Sequence, residues 1–531
     1  MLRKVVRIPA AKVLILVVSS TRTRARRSLL GGVLLCALAA CGTTVPLQSQ
    51  GGSAGSGLNG TTGDLVTGDG SSGTTTSGGA ETSTGSTPGT PGSTTGSGSS
   101  PAAGGGSGTT GTTGTTGTST TTGTTAGGTK APVRIGFTTV PDAAAFFASF
   151  GASSSNVDQA AMVKNAVKWV NAHGGLNGHP IQAYIEEVSA TSQEPYDSQY
   201  QKLCTKFTQD DKVIAAGMVG IGANTNMDVC MSKAKTLFVT GANTLHDESD
   251  YVRAPFVVSP QEVTAPVLAK ALAQLVLTRS GEKKGGKVGL LSYDVAEYNR
   301  AVDQQLKPIL AAAGISLVQY KIPAPQSTAG IGSSVSVVQS AQLKMAAQGV
   351  KTVTALCGGC MPFFIQAANG QGYYPRYFLS SLDTPGAADG STYERALRTS
   401  VSIGWEPNAD YGSTPPPAPV QHSATYDQCY KIQKAAGYIS DSSSTSIAII
   451  TCDEVLALYH AAQANPVEPM TSTSLRDGLL ALGTSHPSAL SFATNLTPQK
   501  HAGASHYKLM TWNDTCSCPA YSGGLVPFPS L

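Results

Sequence analysis

From position 133 onward, short apolar runs alternate with stretches in which apolar residues recur every three or four positions. This alternation limits the possible folds more than any other feature of the chain. The spacing predicts strands at 133–137, 181–188, 213–218 and 237–240, with helices at 156–172, 196–208 and 225–233 between them. A break at 255–260, rich in proline, interrupts the order, which then restarts. Helices are predicted at 266–279, 297–313, 335–348 and 362–370, interleaved with strands at 287–292, 316–322, 352–356 and 377–380. Strand-helix alternation with short loops specifies parallel sheets covered on both faces, and two arrays specify two sheets. In open parallel sheets ligands bind at the carboxyl ends of the strands, so two such lobes would face each other as a clamp.

The residues ahead of this region say where it works. Arg22, Arg24, Arg26 and Arg27 precede an apolar run from Leu29 to Ala39, too short for a membrane-spanning helix and suited to an export signal. The run ends Leu38-Ala39-Ala40-Cys41-Gly42, which resembles the lipobox of lipoproteins. Residues 1–40 are therefore expected to be a signal peptide, with Cys41 carrying the lipid and the mature chain outside the cytoplasm, anchored to the cell membrane. An ordinary cleaved signal with Cys41 incidental is the alternative, and Arg26-Arg27-Ser28-Leu29-Leu30 admits a twin-arginine export route. The first forty residues hold eight of the 36 basic residues and no acid, leaving 28 basic against 32 acidic in the mature chain. The basic balance belongs to the signal, and nucleic-acid binding loses its support.

Residues 42–129 are almost entirely Gly, Ser, Thr, Ala and Pro, with Asp64, Asp69 and Glu81 the charged exceptions. Such a segment buries too little apolar surface to offset its ordering entropy, so 41–129 reads as a disordered tether. As a flexible coil it spans about 50 Å root-mean-square. The remaining 400 or so residues exceed a single compact core and fit two lobes.

The run Trp169-Val170-Asn171-Ala172-His173-Gly174-Gly175-Leu176-Asn177-Gly178-His179-Pro180-Ile181 ends a helix in a Gly-Gly turn and leads into the second strand. It resembles the start of type I periplasmic binding proteins of the branched-chain amino-acid class, and the likeness extends over nearly all of 131–520. The resemblance implies an α/β fold of two Rossmann-like lobes joined by three crossovers, near 257–261, 404–407 and after about 498. Lobe 1 would comprise 131–258 plus 408–497, and lobe 2 would comprise 259–405 plus 498–531. It also implies a receptor, expected to be a monomer, that delivers a small-molecule ligand to an ABC permease. Carried over position by position, it places the ligand against Phe146, against Gly220, Ile221, Gly222 and Ala223, and against Asn243 and Thr244. From the second lobe it adds Tyr293 and Tyr298 as aromatic packing and Asp383 as the acid for a ligand ammonium. The sequence departs from the family in two places. Its carboxylate loop has late hydroxyls, and Cys452-Asp453 replaces an aromatic-Asp pair, which leaves a receptor but weakens branched-chain specificity. Asp383 also reads as a simple turn or cap residue.

In an exported chain the eight cysteines of the folded region suggest disulfides. Cys204 and Cys230 fall on predicted helices flanking one strand, Cys357 and Cys360 pair locally, Cys429 and Cys452 join neighbouring helices, and Cys516 and Cys518 close a tight loop. These are the simplest of about 105 connectivities. A redox dithiol at Cys357 and Cys360 and a zinc set of His501, His506, Cys516 and Cys518 are the chemical alternatives; reactive dithiols usually open a helix in a thioredoxin-type fold, whereas this array has two full sheets, and the zinc set is irregularly spaced. No nucleophile elbow, phosphate-cradling loop or paired-His metal helix occurs, so neither an enzyme, a metal nor a cofactor is expected. The leading expectation is a solute-binding lipoprotein for ABC import of an amino acid or related polar compound. A ligand sensor or envelope-interaction module on the same clamp is the alternative.

Overall fold

The computed structural model describes residues 130–148, 155–218, 225–241, 245–385, 391–411 and 420–531. The signal segment, Cys41 and the tether lie outside the described residues. Two sheets organise the chain. The first contains β1 (Val133–Thr139), β2 (Ile181–Glu187), β3 (Ala215–Met218), β4 (Leu237–Thr240) and β5 (Val257–Val258), all parallel, in the order β2-β1-β3-β4-β5. The second contains β6 (Lys287–Tyr293), β7 (Ser316–Ile322), β8 (Thr352–Leu356), β9 (Arg376–Ser380) and β10 (Val401–Gly404), again parallel. Its order is β12-β11-β10-β9-β8-β6-β7, where β11 (His506–Asn513) and β12 (Cys518–Pro527) form an antiparallel hairpin on β10. The alternation thus folds as its periodicity predicts, and the hairpin is an addition the parallel pattern did not indicate.

Local chemistry explains the connections. The helix Gln159–Ala172 buries Met162, Val163, Ala166, Val167 and Val170 on one face, and the Asp158 carboxylate caps its start by accepting from the Ala161 amide at 2.8 Å. Its end needs left-handed backbone at Gly174 (φ 98°) and Gly175 (φ 63°). A Cβ on Gly175 would stand 2.3 Å from the His179 carbonyl oxygen, so this turn admits only glycine. The predicted helix at 297–313 is interrupted by a π-helical turn at Val302–Leu306, just before Pro308, which has no N–H to continue the regular ladder. The helix predicted at 335–348 begins earlier, at Thr328, where Ser327 supplies the N-cap.

Three passages join the lobes. One leaves β5 for the helix Ala265–Arg279, one leaves β10 through Trp405 and Glu406, and one reaches β11 from the helix Ser472–Ala481. Backbone bonds tie the passages together: the Ser259 amide donates to His501 O (2.9 Å), the Gly503 amide to Ser259 O (2.8 Å) and the Ala504 amide to Glu262 O (2.7 Å). Between the second and third passages the helices Ala424–Ala435, Ser442–Ala464 and Ser472–Ala481 return to the first sheet. They share one core with Ile135, Phe137 and Val239 through Ile432, Val455, Leu456 and Leu475. No helix among the described residues is long and apolar enough to cross a membrane.

Candidate functional site

The candidate residues lie at or near the carboxyl ends of the strands. After β1, Gln159 brackets Val140, accepting from its amide and donating to its carbonyl at 2.8 Å each. Asp142 follows, and its carboxylate accepts four hydrogen bonds from the segment beyond β2. They come from the Ser189 and Thr191 hydroxyls (2.6 Å each) and the Ala190 and Thr191 amides (2.7 and 2.9 Å). Partial burial works to raise its pKa, but these donors outweigh it and hold the group at about 2. Phe146 lies on the short helix Ala143–Ala148 beside this corner and is half-buried. Gly220, Ile221, Gly222, Ala223, Asn243 and Thr244 lie outside the described residues.

Where the first lobe meets the passages, a charged cluster is buried. The His246 ring faces Glu262 through Nδ1 (2.9 Å) and Asp228 through Nε2 (3.0 Å). A ring with carboxylates at both nitrogens is an imidazolium donating twice. Burial opposes that charge, yet Glu262 and Asp228 outweigh it and raise the histidine pKa well above its usual value. The Tyr251 hydroxyl also donates to Glu262 (3.4 Å), and Arg300, from the helix after β6, pairs with Asp247 at 2.5 Å. None of these groups was singled out from the sequence. Their partners are distant along the chain, and only the fold assembles them.

In the second lobe Tyr293 ends β6 and lies parallel to Tyr298, with ring centroids 6.5 Å apart. The Tyr293 hydroxyl donates to Gly358 O at 2.5 Å, pinning the loop closed by Cys357 and Cys360. Tyr298 is fully buried and its hydroxyl accepts from the Leu245 amide (3.2 Å), linking the helix after β6 to the end of the first lobe. Asp383 is buried and caps the turn Ser381–Asp383, its Oδ2 accepting from the Ser380 amide at 2.9 Å. Its Oδ1 has no partner, and burial pushes its pKa up to about 7. Nearby, Asp410 accepts from the Tyr521 hydroxyl (2.5 Å), and burial pushes its pKa up to about 7 as well. Burial also pushes Glu406, beside Trp405, well above the usual carboxylate range, with Asp410 and Glu262 adding to the effect.

The cysteines are joined as Cys204–Cys230, Cys357–Cys360, Cys429–Cys452 and Cys516–Cys518. Asp453, next to Cys452, accepts from the Ser488 hydroxyl (2.6 Å) and the Ala489 amide (2.8 Å), which orients the chain toward the third passage. His501 bonds Val257 O and His506 bonds the Ser505 hydroxyl. Among the described residues no group of three His, Cys, Asp or Glu side chains is arranged to hold a metal ion.

Solved structures share this architecture. A substrate-binding protein of an ABC transporter from Aeropyrum pernix superposes with a TM-score of 0.54 at 13% identity, covering 76% of this chain and 97% of that one. A solute-binding protein from Rhodopseudomonas palustris HaA2, in complex with p-hydroxybenzoic acid, also gives 0.54 at 13% identity, covering 76% and 98%. A fatty acid ABC transporter substrate-binding protein from Thermomonospora curvata gives 0.50 at 13% identity, covering 75% and 91%. Identities this low establish a common fold. No curated protein matches the chain by sequence. The sequence model described as periplasmic binding protein does match, over residues 132–517. With that span and two parallel sheets joined by three passages, the chain belongs to the type I periplasmic binding protein family.

Proposed function

We propose that this protein is an extracytoplasmic solute-binding lipoprotein that captures a small polar solute, an amino acid or a related compound, for an ABC importer. The observation that carries the reading is the family match over 132–517 on a two-sheet fold with Phe146, Tyr293 and Asp383 at or just beyond strand ends. In this reading the lobes are 131–258 plus 408–497 and 259–405 plus 498–531. The ligand packs on Tyr293, backed by Tyr298, and meets Phe146 and the 220–223 and 243–244 segments from the first lobe. Asp383 contributes its unpartnered Oδ1, and an ammonium beside it would draw the carboxyl back to its ionised form. A lipid on Cys41 and the Gly/Ser/Thr-rich tether keep a monomeric receptor close to its permease.

Binding is read as closure, because a solute between the lobes contacts both only when they meet. A thermal-shift screen of amino acids, amides, short peptides and aromatic acids tests the reading. A true ligand at 100 times its dissociation constant stabilises the protein by about 2.7 kcal/mol. Asp383→Asn should remove the response to ammonium-bearing solutes while sparing that to uncharged ones. A broad solute library that produces no shift sinks the receptor reading.

A further inference from the structure

The strands β2 and β7 lie at edges of their sheets, while the three passages leave or enter at β5, β10 and β11. The segments following β2 and β7 nevertheless touch. The Thr328 hydroxyl, at the start of the helix after β7, donates to Ala190 O at 2.7 Å. The Tyr196 amide, at the start of the helix after β2, donates to Gln326 O at 2.7 Å. An amide in the first turn of a helix has no partner within that helix, so Gln326 satisfies a donor that Tyr196 would otherwise leave to water. The Ala190 carbonyl also accepts from the Tyr196 hydroxyl (3.0 Å), which joins the two bonds into one unit.

Ala190 is held in place from behind. The Asp142 carboxylate binds the Ser189 hydroxyl, the Ala190 amide and both the amide and hydroxyl of Thr191. Four donors on one carboxylate fix both the position and the direction of the 189–191 segment, and the Ala190 carbonyl is thereby presented to the other lobe. All four hydrogen bonds to the Asp142 carboxylate come from the first lobe, so its effect on the second passes through Ala190. We infer that Asp142 is the positioning residue of a latch across the mouth of the cleft, in which Ala190 and Tyr196 of the first lobe engage Thr328 and Gln326 of the second. The latch rests on the clamp reading and adds to it a specific lock on the side away from the hinge. Opening the cleft breaks both bonds together, so the latch slows solute release more than it alters capture.

Hydrogen exchange on the full mature chain tests this without a known ligand. The Tyr196 amide is the reporter, and the Gln199 amide, bonded to Pro195 O within the first lobe, is the folding control. Wild-type protein should exchange Tyr196 at least tenfold more slowly than an unstructured amide. Thr328→Val should recover most of that tenfold, Thr328→Ser should preserve the protection, and Asp142→Asn should match Thr328→Val although it sits in the other lobe. Gln199 should be unchanged in all three. An unprotected Tyr196 amide in the wild type, or protection that survives both Thr328→Val and Asp142→Asn, overturns the latch. Should Asp142→Asn also expose Gln199, the far-lobe Thr328→Val and Thr328→Ser pair decides alone. A solute library without a hit sinks the receptor reading while a protected Tyr196 leaves the latch standing, so the two failures are distinct.

Discussion

The lobes of this protein meet on two sides of the cleft, and the two meetings are built from different materials. On the hinge side three passages bond backbone to backbone, around a buried His246 between Glu262 and Asp228, a buried Asp410 and a half-buried Glu406. On the mouth side two hydrogen bonds join buried Ala190 and Tyr196 to half-buried Thr328 and Gln326, organised by one ionised carboxylate, Asp142. The hinge therefore has large, buried terms. The mouth has small terms of the size that thermal motion and ligand binding can trade. The two sides also carry opposite pH signs. His246 and Asp410 have raised pKa values in the folded protein, so their support is complete below the unfolded values and fades as pH rises through the folded ones. Asp142 has a lowered value of about 2, so its support is complete above 3.8 and fades as pH falls toward 2.

The largest expected effect is at His246. Replacing it with alanine leaves Asp228 and Glu262 buried without their shared cation, and removing one partner of a buried ion cluster typically costs about 3–5 kcal/mol. Chemical denaturation should show that loss at pH 6 and a smaller one in alkali, where the wild-type ring gives up its charge. A loss below about 1 kcal/mol at pH 6 would mean that the hinge does not depend on the cluster. Next comes Gly503→Ala. A Cβ there would stand 2.1 Å from the Pro260 carbonyl oxygen, so two passages must separate to admit it. Overpacking of this kind costs about 1–3 kcal/mol. If the melting point is unchanged, the passages are less tightly joined than their backbone bonds indicate.

Asp410→Asn retains an acceptor for the Tyr521 hydroxyl and removes the titrating carboxyl. Relative to wild type, the variant should gain stability as pH rises from 4 past 7, with a limiting slope of about 1.4 kcal/mol per pH unit for one proton. Half-buried His460 and buried His486, both held near pKa 4 by desolvation, act in the opposite direction between 6.5 and 4. The comparison must therefore be the difference between variant and wild type at each pH. Parallel curves would show that Asp410 does not titrate in this range.

The two sides also differ in how far the sequence reveals them. Buried parallel strands are apolar on both faces, so β1, β6 and β8 stand out as runs, and the helix Gln159–Ala172 shows its one buried face in its spacing. The hairpin of β11 and β12 hides because Ser522, Gly523 and Gly524 look like a turn yet lie within an exposed edge strand. The helix starting at Thr328 hides its first turns behind Gly330 and Gly332. The positions of Tyr293 and Asp383 at strand ends follow from local pattern: Tyr293 closes β6 and Asp383 ends the turn after β9. Asp142 follows Pro141 and looks like an ordinary turn residue, and its partners lie 47 to 49 positions away. Asp228, His246 and Glu262 are spread over 34 positions, with no spacing to mark them. Local pattern reveals elements and the residues at their ends. Charges that meet across elements become visible only when the chain is folded.

The smallest expected effect separates the two bonds that share Ala190. Tyr196→Phe deletes the hydroxyl that donates to Ala190 O but leaves the Tyr196 backbone amide, the Thr328 hydroxyl and the buried ring volume in place. A carbonyl oxygen has two lone pairs, so Thr328 keeps its acceptor when the tyrosine hydroxyl is lost. Global stability should fall by about 1 kcal/mol, the usual net worth of one buried hydrogen bond. Exchange at position 196 should stay slow, because the amide's partner is Gln326 and the orientation of Ala190 comes from Asp142. If Tyr196→Phe releases that amide as fully as Thr328→Val does, then the ring hydroxyl rather than the carboxylate aims Ala190. The mouth would then be organised from within its own helix start, and its pH sign, opposite to that of the hinge, would no longer follow from Asp142.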